Sequence, residues 1–210
     1  MTTFARQAPL AQTFLPQTGV FANRWVREAV LIGAAVALLS VLAQVSFTVP
    51  FSADRTGKLV PITGQTFGVL LIGVTLGARR GVSAVLLYLG IGLLGAPVYT
   101  NAGSGMFLFT GVTAGYLWGF LLAVAFVGWA ADRGLDRGPW LLSVLFVGNA
   151  LIYAVGLPVL HLWLDRHGVN LNTLDAGLWP FIPGDLVKLV GASVALPGAW
   201  AMVERFAPRR

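Results

Sequence analysis

Apolar residues run in long blocks along this chain, separated by short clusters of Gly, Pro, Arg and Asp. About 20 apolar residues cross a bilayer as an α-helix, and the blocks predict six such helices. They lie over Val26–Val49, Ile62–Gly77, Val82–Val98, Met106–Ala131, Trp140–Trp163 and Pro183–Val203. The second and third are short, as expected of tilted, broken or bundle-buried segments. A transmembrane β-barrel would alternate polar and apolar residues in segments of about ten, whereas Val82–Leu94 and Leu117–Ala131 are apolar all round. The expected fold class is therefore an all-α integral membrane protein with six transmembrane helices. Residues 25–205 form its single domain, 1–24 a poorly ordered cytoplasmic extension, and 206–210 a basic tail.

Composition agrees: 57% of residues are hydrophobic and only 10% charged, against about 25% charged in soluble domains. Reading the six spans in order, one side receives Arg6, Arg24, Arg27, Arg79, Arg80, Arg133, Arg137, Arg205, Arg209 and Arg210. The other receives Arg55, Lys58 and Arg166. The positive-inside rule places the richer side in the cytoplasm, which puts both termini there and the chain in the cell membrane as a multi-pass protein. Five or seven spans would scramble the asymmetry. The net charge of +6 then reads as topology and contact with anionic headgroups. No basic run is interleaved with aromatics, so nucleic-acid binding is not expected. The first 24 residues lack a compact apolar stretch of the signal-peptide kind. The absence of cysteine excludes disulfides, thiolate metal sites and cysteine nucleophiles.

Against this background the segment Trp179-Pro180-Phe181-Ile182-Pro183-Gly184-Asp185-Leu186-Val187-Lys188 stands out. Ionisable residues within a membrane are costly and mark functional sites by default. Asp185 and Lys188 are three apart and share a helix face, placed to neutralise each other or to grip a polar ligand together. Pro183 suits a first helical turn, where the positive end of the helix dipole favours the Asp185 carboxylate. With the last helix running inward, the pair lies toward the external surface. A plain interfacial Asp with a snorkelling Lys is the simpler reading, and the prolines on both sides of Phe181 argue against it.

Other polar residues inside the spans extend the constellation. Asn149 and Tyr153 are four apart on the fifth span, Thr113 and Tyr116 share a face on the fourth, and Gln65 with Thr66 opens the second. Singly, each fits an interhelical hydrogen bond of modest worth. Together with the Asp/Lys pair they predict one wet pocket in the outer half of the membrane. Tyr88, Trp118 and Trp163 are candidates for added stacking surface, although membrane aromatics more often anchor at the lipid interface. Glycines recur every four residues at Gly111, Gly115 and Gly119, and at Gly73, Gly77 and Gly81. Such stripes let helix backbones approach, and packing explains them. Ala29, Gly33 and Ala37 make a comparable smooth face on the first span, suited to bundle packing or to another membrane protein.

Several chemistries are missing. The chain has no Gly-x-x-x-x-Gly-Lys-[Ser/Thr] phosphate loop and no His-Glu-x-x-His helix. ATP hydrolysis, metal catalysis and a bound cofactor are accordingly not expected. His161 and His167 are poorly spaced for a metal. Ser104 in Ala102-Gly103-Ser104-Gly105 has no well-placed His to activate it, so the chain is not read as an enzyme.

Seven motifs in order carry a resemblance. They are Val60-Pro61-Ile62-Thr63-Gly64-Gln65-Thr66, Leu76-Gly77-Ala78-Arg79-Arg80-Gly81, Leu86-Leu87-Tyr88-Leu89, Gly95-Ala96-Pro97-Val98, the stretch from Gly111 to Phe120, Gly148-Asn149-Ala150-Leu151-Ile152-Tyr153, and Pro180 to Lys188. From about residue 30 to 205 the chain resembles the BioY biotin-uptake family, substrate-capture (S) components of energy-coupling-factor transporters. The resemblance implies the six-helix S-component fold, high-affinity biotin binding from outside, and a membrane T component with two ATPases as motor. It also implies that small residues of the first helix, here Ala29, Gly33 and Ala37, meet the T component. Asn101 stands where the family tends to have a small residue or a polar ligand contact and joins the candidate site. Two departures are visible. Val112 and Ala114 interrupt the family's Gly-Pro-Thr-Gly-Gly-Tyr, and Ser52–Leu59 lengthen the first outer loop, which in such proteins often covers the ligand.

Biotin chemistry suits these residues. Its ureido ring offers two N–H donors and a carbonyl, its body is apolar and its tail is a carboxylate. Asp185 accepts from ureido N–H groups, while Lys188 serves either the ureido carbonyl or the carboxylate. Asn101, Tyr116, Asn149 and Tyr153 supply further polar contacts, with Gln65 and Thr113 behind them. The alternatives are an S component for another vitamin, or a stand-alone channel or secondary carrier, for which neither inverted halves nor a continuous polar stripe is present.

Overall fold

The computed structural model describes residues 19–47, 60–136 and 138–206. Most of the N-terminal extension, the lengthened outer loop at 52–59 and the last four residues of the basic tail lie outside the described residues. So do Arg6, Arg55, Lys58, Arg137, Arg209 and Arg210. Helix α1 spans Arg24–Gln44 and begins at Asn23, whose side chain accepts from the Trp25 N–H at 2.9 Å. Strand β1 (Ser46–Phe47) pairs antiparallel with β2 (Ile62–Thr63), Ser46 opposite Thr63. There follow α2 (Gln65–Leu93), a 3-10 turn (Thr100–Ala102), α3 (Phe107–Thr110), α4 (Ala114–Ala131), α5 (Trp140–Arg166), α6 (Thr173–Gly177) and α7 (Ile182–Phe206). Among the described residues, α1, α2, α4 and α5 are each long and apolar enough to cross a membrane.

Helix α2 folds back on itself. Gly77 takes φ 76° and ψ 177°, a backbone region that is essentially glycine's alone. On either side of it the two limbs pack together, so that Gln65 Nε2 donates to Tyr88 Oη at 2.8 Å. In a straight helix those residues, 23 positions apart, would be separated by about 35 Å. The two short apolar blocks of the sequence are the limbs of this hairpin. The fourth block is also interrupted. Gly111, at φ −71° and ψ 151°, ends α3 in extended backbone, and a Cβ there would come within 2.6 Å of the Phe107 carbonyl oxygen. The long helix therefore starts at Ala114 rather than Met106. The first block yields α1 only as far as Gln44, and the fifth runs past Trp163 to Arg166.

Helix α4 lies against both α2 and α5, and glycines set these contacts, Gly119 of the stripe on the α5 side and Gly128, outside the stripes, on the α2 side. A Cβ on Gly128 would fall 2.4 Å from Ala78 N, and one on Gly119 would fall 2.8 Å from Ile152 O. Both are backbone-to-backbone approaches that a side chain would forbid. The core between these helices holds Leu70, Ile72, Val85, Val124, Leu145 and Ile152, each at most 2% exposed. The two ends of the bundle differ in charge. Arg80 donates from Nε and Nη2 to both carboxylate oxygens of Glu28, at 2.6 and 2.5 Å, and Asp132 accepts from the Ala78 N–H at 3.2 Å. Thus the start of α1, the reversal of α2 and the end of α4 share one end, together with Arg24, Arg27, Arg79 and Arg133. At the opposite end gather the strand pair, Gln65, the Tyr99–Ala102 turn and the start of α7.

Candidate functional site

The centre of that opposite end is the Asp185 carboxylate, 5% exposed. Pro183, in the first turn of α7, has no N–H to lose there. The Asp185 N–H is bonded to Phe181 O at 2.9 Å, which carries the helical pattern back to the buried Phe181. The carboxylate is thereby held within the first turn, where the helix dipole favours an anion. Two side chains of α5 complete its shell: Tyr153 Oη donates to Oδ2 at 2.6 Å and Asn149 Nδ2 to the same oxygen at 3.0 Å. Four residues apart, they project from one face of α5. Lys188 Nζ lies 3.5 Å from Asp185 Oδ1 and also donates to Thr63 O at 3.3 Å. The ion pair of the last helix is thus fastened to the strand pair.

Hydrogen bonding leaves one acceptor over. The Asn149 amide spends its nitrogen on Asp185, and its Oδ1 is buried without a partner among the described residues. An unsatisfied buried polar atom costs about 1–3 kcal/mol, and a ligand N–H would relieve that cost. The cluster therefore offers a carboxylate, a free amide oxygen and an ammonium within one small volume. Chemically, that set complements a head group carrying N–H donors and an acceptor or anion.

An aromatic column supports it. Tyr116 stands edge-on to Tyr153 at 6.0 Å between centroids, and Tyr153 edge-on to Phe181 at 6.5 Å. Tyr116 Oη donates to Gly177 O at 2.8 Å, tying α4 to α6. On the inner side of this column lies a cavity of about 30 Å³ lined by Thr63, Gln65, Thr100, Thr113, Phe120 and Pro61, among others. On the outer side, between α5 and α7, lies a groove of about 450 Å³ whose polar floor is Asn149, Tyr153 and Asp185 and whose walls are apolar, among them Phe146, Leu157, Ile182 and Leu189. The groove is of small-molecule size, and the inner cavity holds little more than a water.

Asp185, Lys188, Asn149 and Tyr153 are thus brought into direct contact, Tyr116 stands one ring away, and Gln65 and Thr113 line the inner cavity. Gln65 is engaged throughout, donating to Tyr88 and accepting from Thr100 Oγ1 at 2.8 Å and Thr63 Oγ1 at 3.1 Å. Asn101 is exposed, and its buried neighbour Thr100 faces the cavity instead. The sequence reading missed Thr100 and Phe181, and also Gln44, which reaches the Tyr99–Ala102 turn from the end of α1. A threonine or glutamine at the end of an apolar block carries no periodic signal. Ala29, Gly33 and Ala37 lie along the exposed face of α1, away from the site.

Residues 11–205 match the BioY family. The biotin transporter BioY of Rhodobacter capsulatus is 38% identical over 176 residues, covering 78% of this chain and 88% of that one. That of Rhizobium etli is 35% identical over 152 residues, covering 69% and 79%. That of Thermotoga maritima is 33% identical over 169 residues, covering 80% and 93%. Among solved structures, the S-component for biotin from an ECF-type ABC transporter is similar in fold, with a TM-score of 0.68 over 85% of this chain and 93% of that one at 23% identity.

Proposed function

The chain belongs to the BioY family, and from that membership we propose that it captures biotin at the outer face of the cell membrane as the S component of an energy-coupling-factor transporter. It is a transport protein and not an enzyme. In this reading the chain crosses the membrane six times, the two limbs of α2 counting separately and α7 forming the last crossing. The arginine-rich end, with both termini, faces the cytoplasm, and the Asp185 cluster faces outward. A T component and two ATPases supply the motor.

The observation that carries the reading is the buried Asp185 carboxylate, held by Tyr153 and Asn149 with an unspent amide oxygen beside it. One ureido N–H is satisfied by Asp185 and the other by Asn149 Oδ1, while the Lys188 ammonium takes the ureido carbonyl or the tail carboxylate. The apolar body of biotin packs against Tyr153, Tyr116 and Phe181. The Asp185 cluster floors the groove between α5 and α7, and the inner cavity on the Tyr116 side is too small for a bicyclic ligand as it stands, so a ligand that reaches Tyr116 requires lining residues such as Val60, Pro61 and Phe181 to give way. Equilibrium titration of the purified protein with biotin tests the proposal. Saturable high-affinity binding, lost in Asp185→Asn, is expected. Stabilisation against thermal unfolding by a different vitamin but not by biotin would reassign the substrate, and flux from the chain alone in proteoliposomes would overturn the S-component reading.

A further inference from the structure

The turn beside the inner cavity is held in a costly shape. Asn101 and Ala102 both have positive φ, at 57° and 56°, and residues with a Cβ adopt that left-handed conformation only where their surroundings enforce it. Asn tolerates it; Ala gains nothing from it. The enforcement comes from a single side chain on another element. Gln44, the last residue of α1, donates from Nε2 to Tyr99 O at 3.0 Å and accepts at Oε1 from the Ala102 N–H at 3.2 Å. One amide thereby bridges the two ends of the turn, Tyr99 and Ala102. Within the turn, Tyr99 N–H bonds Gly103 O at 3.0 Å and Gly103 N–H bonds Thr100 O at 3.1 Å. The Tyr99 ring anchors it below, fully buried and edge-on to Tyr88 at 5.6 Å.

The consequence of this shape is the position of Thr100. With Asn101 and Ala102 turned outward, Thr100 is buried, lines the inner cavity, and donates to Gln65 Oε1. Gln65 also accepts from Thr63, whose carbonyl receives Lys188 Nζ. A continuous path of hydrogen bonds therefore leads from the end of α1 to the lysine of the ligand cluster.

We propose that Gln44 is a positioning residue for ligand binding: by clamping the Tyr99–Ala102 turn it holds Thr100, Gln65 and Thr63 where the Lys188 end of the pocket needs them. The proposal rests on the biotin reading for its ligand but on the turn alone for its mechanism. It makes α1 a mechanical part of a pocket to which it contributes no lining residue. Tilt of α1 reaches the Tyr99–Ala102 turn through this amide, beside the bonds by which Leu42 O and Val45 O receive the Gly64 N–H.

The test is a small series in the full chain, in nanodiscs. Gln44→Leu keeps the size of the side chain and removes both bonds; Ala102→Gly removes the conformational cost the clamp opposes. Gln44→Leu should weaken biotin binding at least fivefold, and hydrogen exchange in the segment 96–106 should accelerate. Ala102→Gly alone should leave affinity unchanged, and in the Gln44→Leu background it should restore most of it, because glycine adopts the left-handed shape unaided. A merely structural role for Gln44 would give no such rescue. Wild-type affinity in Gln44→Leu, or a loss that Ala102→Gly does not mend, would overturn the proposal. Should the unmodified protein fail to bind biotin, the substrate reading falls, and the exchange measurement decides the clamp by itself: unchanged exchange in Gln44→Leu refutes it.

Discussion

The Asp185 carboxylate is held from two helices at once. Its Oδ2 receives two donors from α5 and its Oδ1 faces Lys188, so removing the charge unbalances three partners at once. Asp185→Asn and Lys188→Ala are each expected to weaken biotin binding at least tenfold, about 1.4 kcal/mol. Each single change leaves a partner charge poorly compensated in a buried site, so the double variant should lose less than the sum of the two. Tyr153→Phe removes one hydrogen bond to the carboxylate, worth about 1.5–3 kcal/mol, and leaves the ring in the aromatic column. A loss similar to that of Lys188→Ala is expected by isothermal titration. Wild-type affinity in any of these variants would remove that residue from the site. At this scale the sequence is informative where partners share a helix. Asp185 with Lys188, and Asn149 with Tyr153, declare themselves by spacings of three and four. What spacing does not tell is which helix faces which. The pairing of α5 with α7, the unspent Asn149 Oδ1, and the reach of Gln44 across 55 positions depend on packing that no local pattern encodes.

Between elements, glycine decides the distances. The stripe on α4 is visible in the sequence as a four-residue repeat, and the structure gives it direction: Gly115 and Gly119 meet the backbone of α5, while Gly128, outside the repeat, meets the reversal of α2. The reversal itself was legible only as two apolar blocks too short to cross a membrane separately, with Arg79 and Arg80 between them. That the break falls at Gly77 follows from its φ and ψ, which a side chain resists. Two substitutions test the arrangement. Gly128→Val forces backbone apart, and overpacking of this kind costs about 1–3 kcal/mol; Gly77→Ala imposes a comparable strain of about 1–3 kcal/mol. Both should lower the midpoint of thermal unfolding in detergent by several degrees. Gly33→Ala, on an open face with nothing within 4 Å of the added methyl, should not. An unfolding midpoint in Gly128→Val equal to that of the unmodified protein would mean that α2 and α4 are not in close contact.

For the whole molecule the question is how a chain without a phosphate loop moves its ligand inward. The candidate site lies at one end of the bundle and Arg24, Arg27, Arg79, Arg80 and Arg133 at the other, joined by helices whose inner faces are already packed. Outer faces of several helices are exposed, with Leu87, Leu122, Phe146 and Val190 among them, and on α1 the exposed face is built of small residues: Ala29, Gly33 and Ala37 recur every four residues and all are exposed. Small residues on a membrane helix permit close approach of a second helix, and no helix of this chain among the described residues occupies that approach at Gly33. The face is therefore proposed as the docking surface for the T component. Gly33→Trp and Ala37→Trp should fold, and should bind biotin with affinity near that of the unmodified protein, because the site is built from other elements. They should fail to co-purify with the T component and the ATPases, and should abolish ATP-dependent biotin uptake in cells. If binding and uptake fell together, the face would instead be serving the fold of this chain. Full uptake by either tryptophan variant, or by cells without the ATPases, would end the coupling proposal.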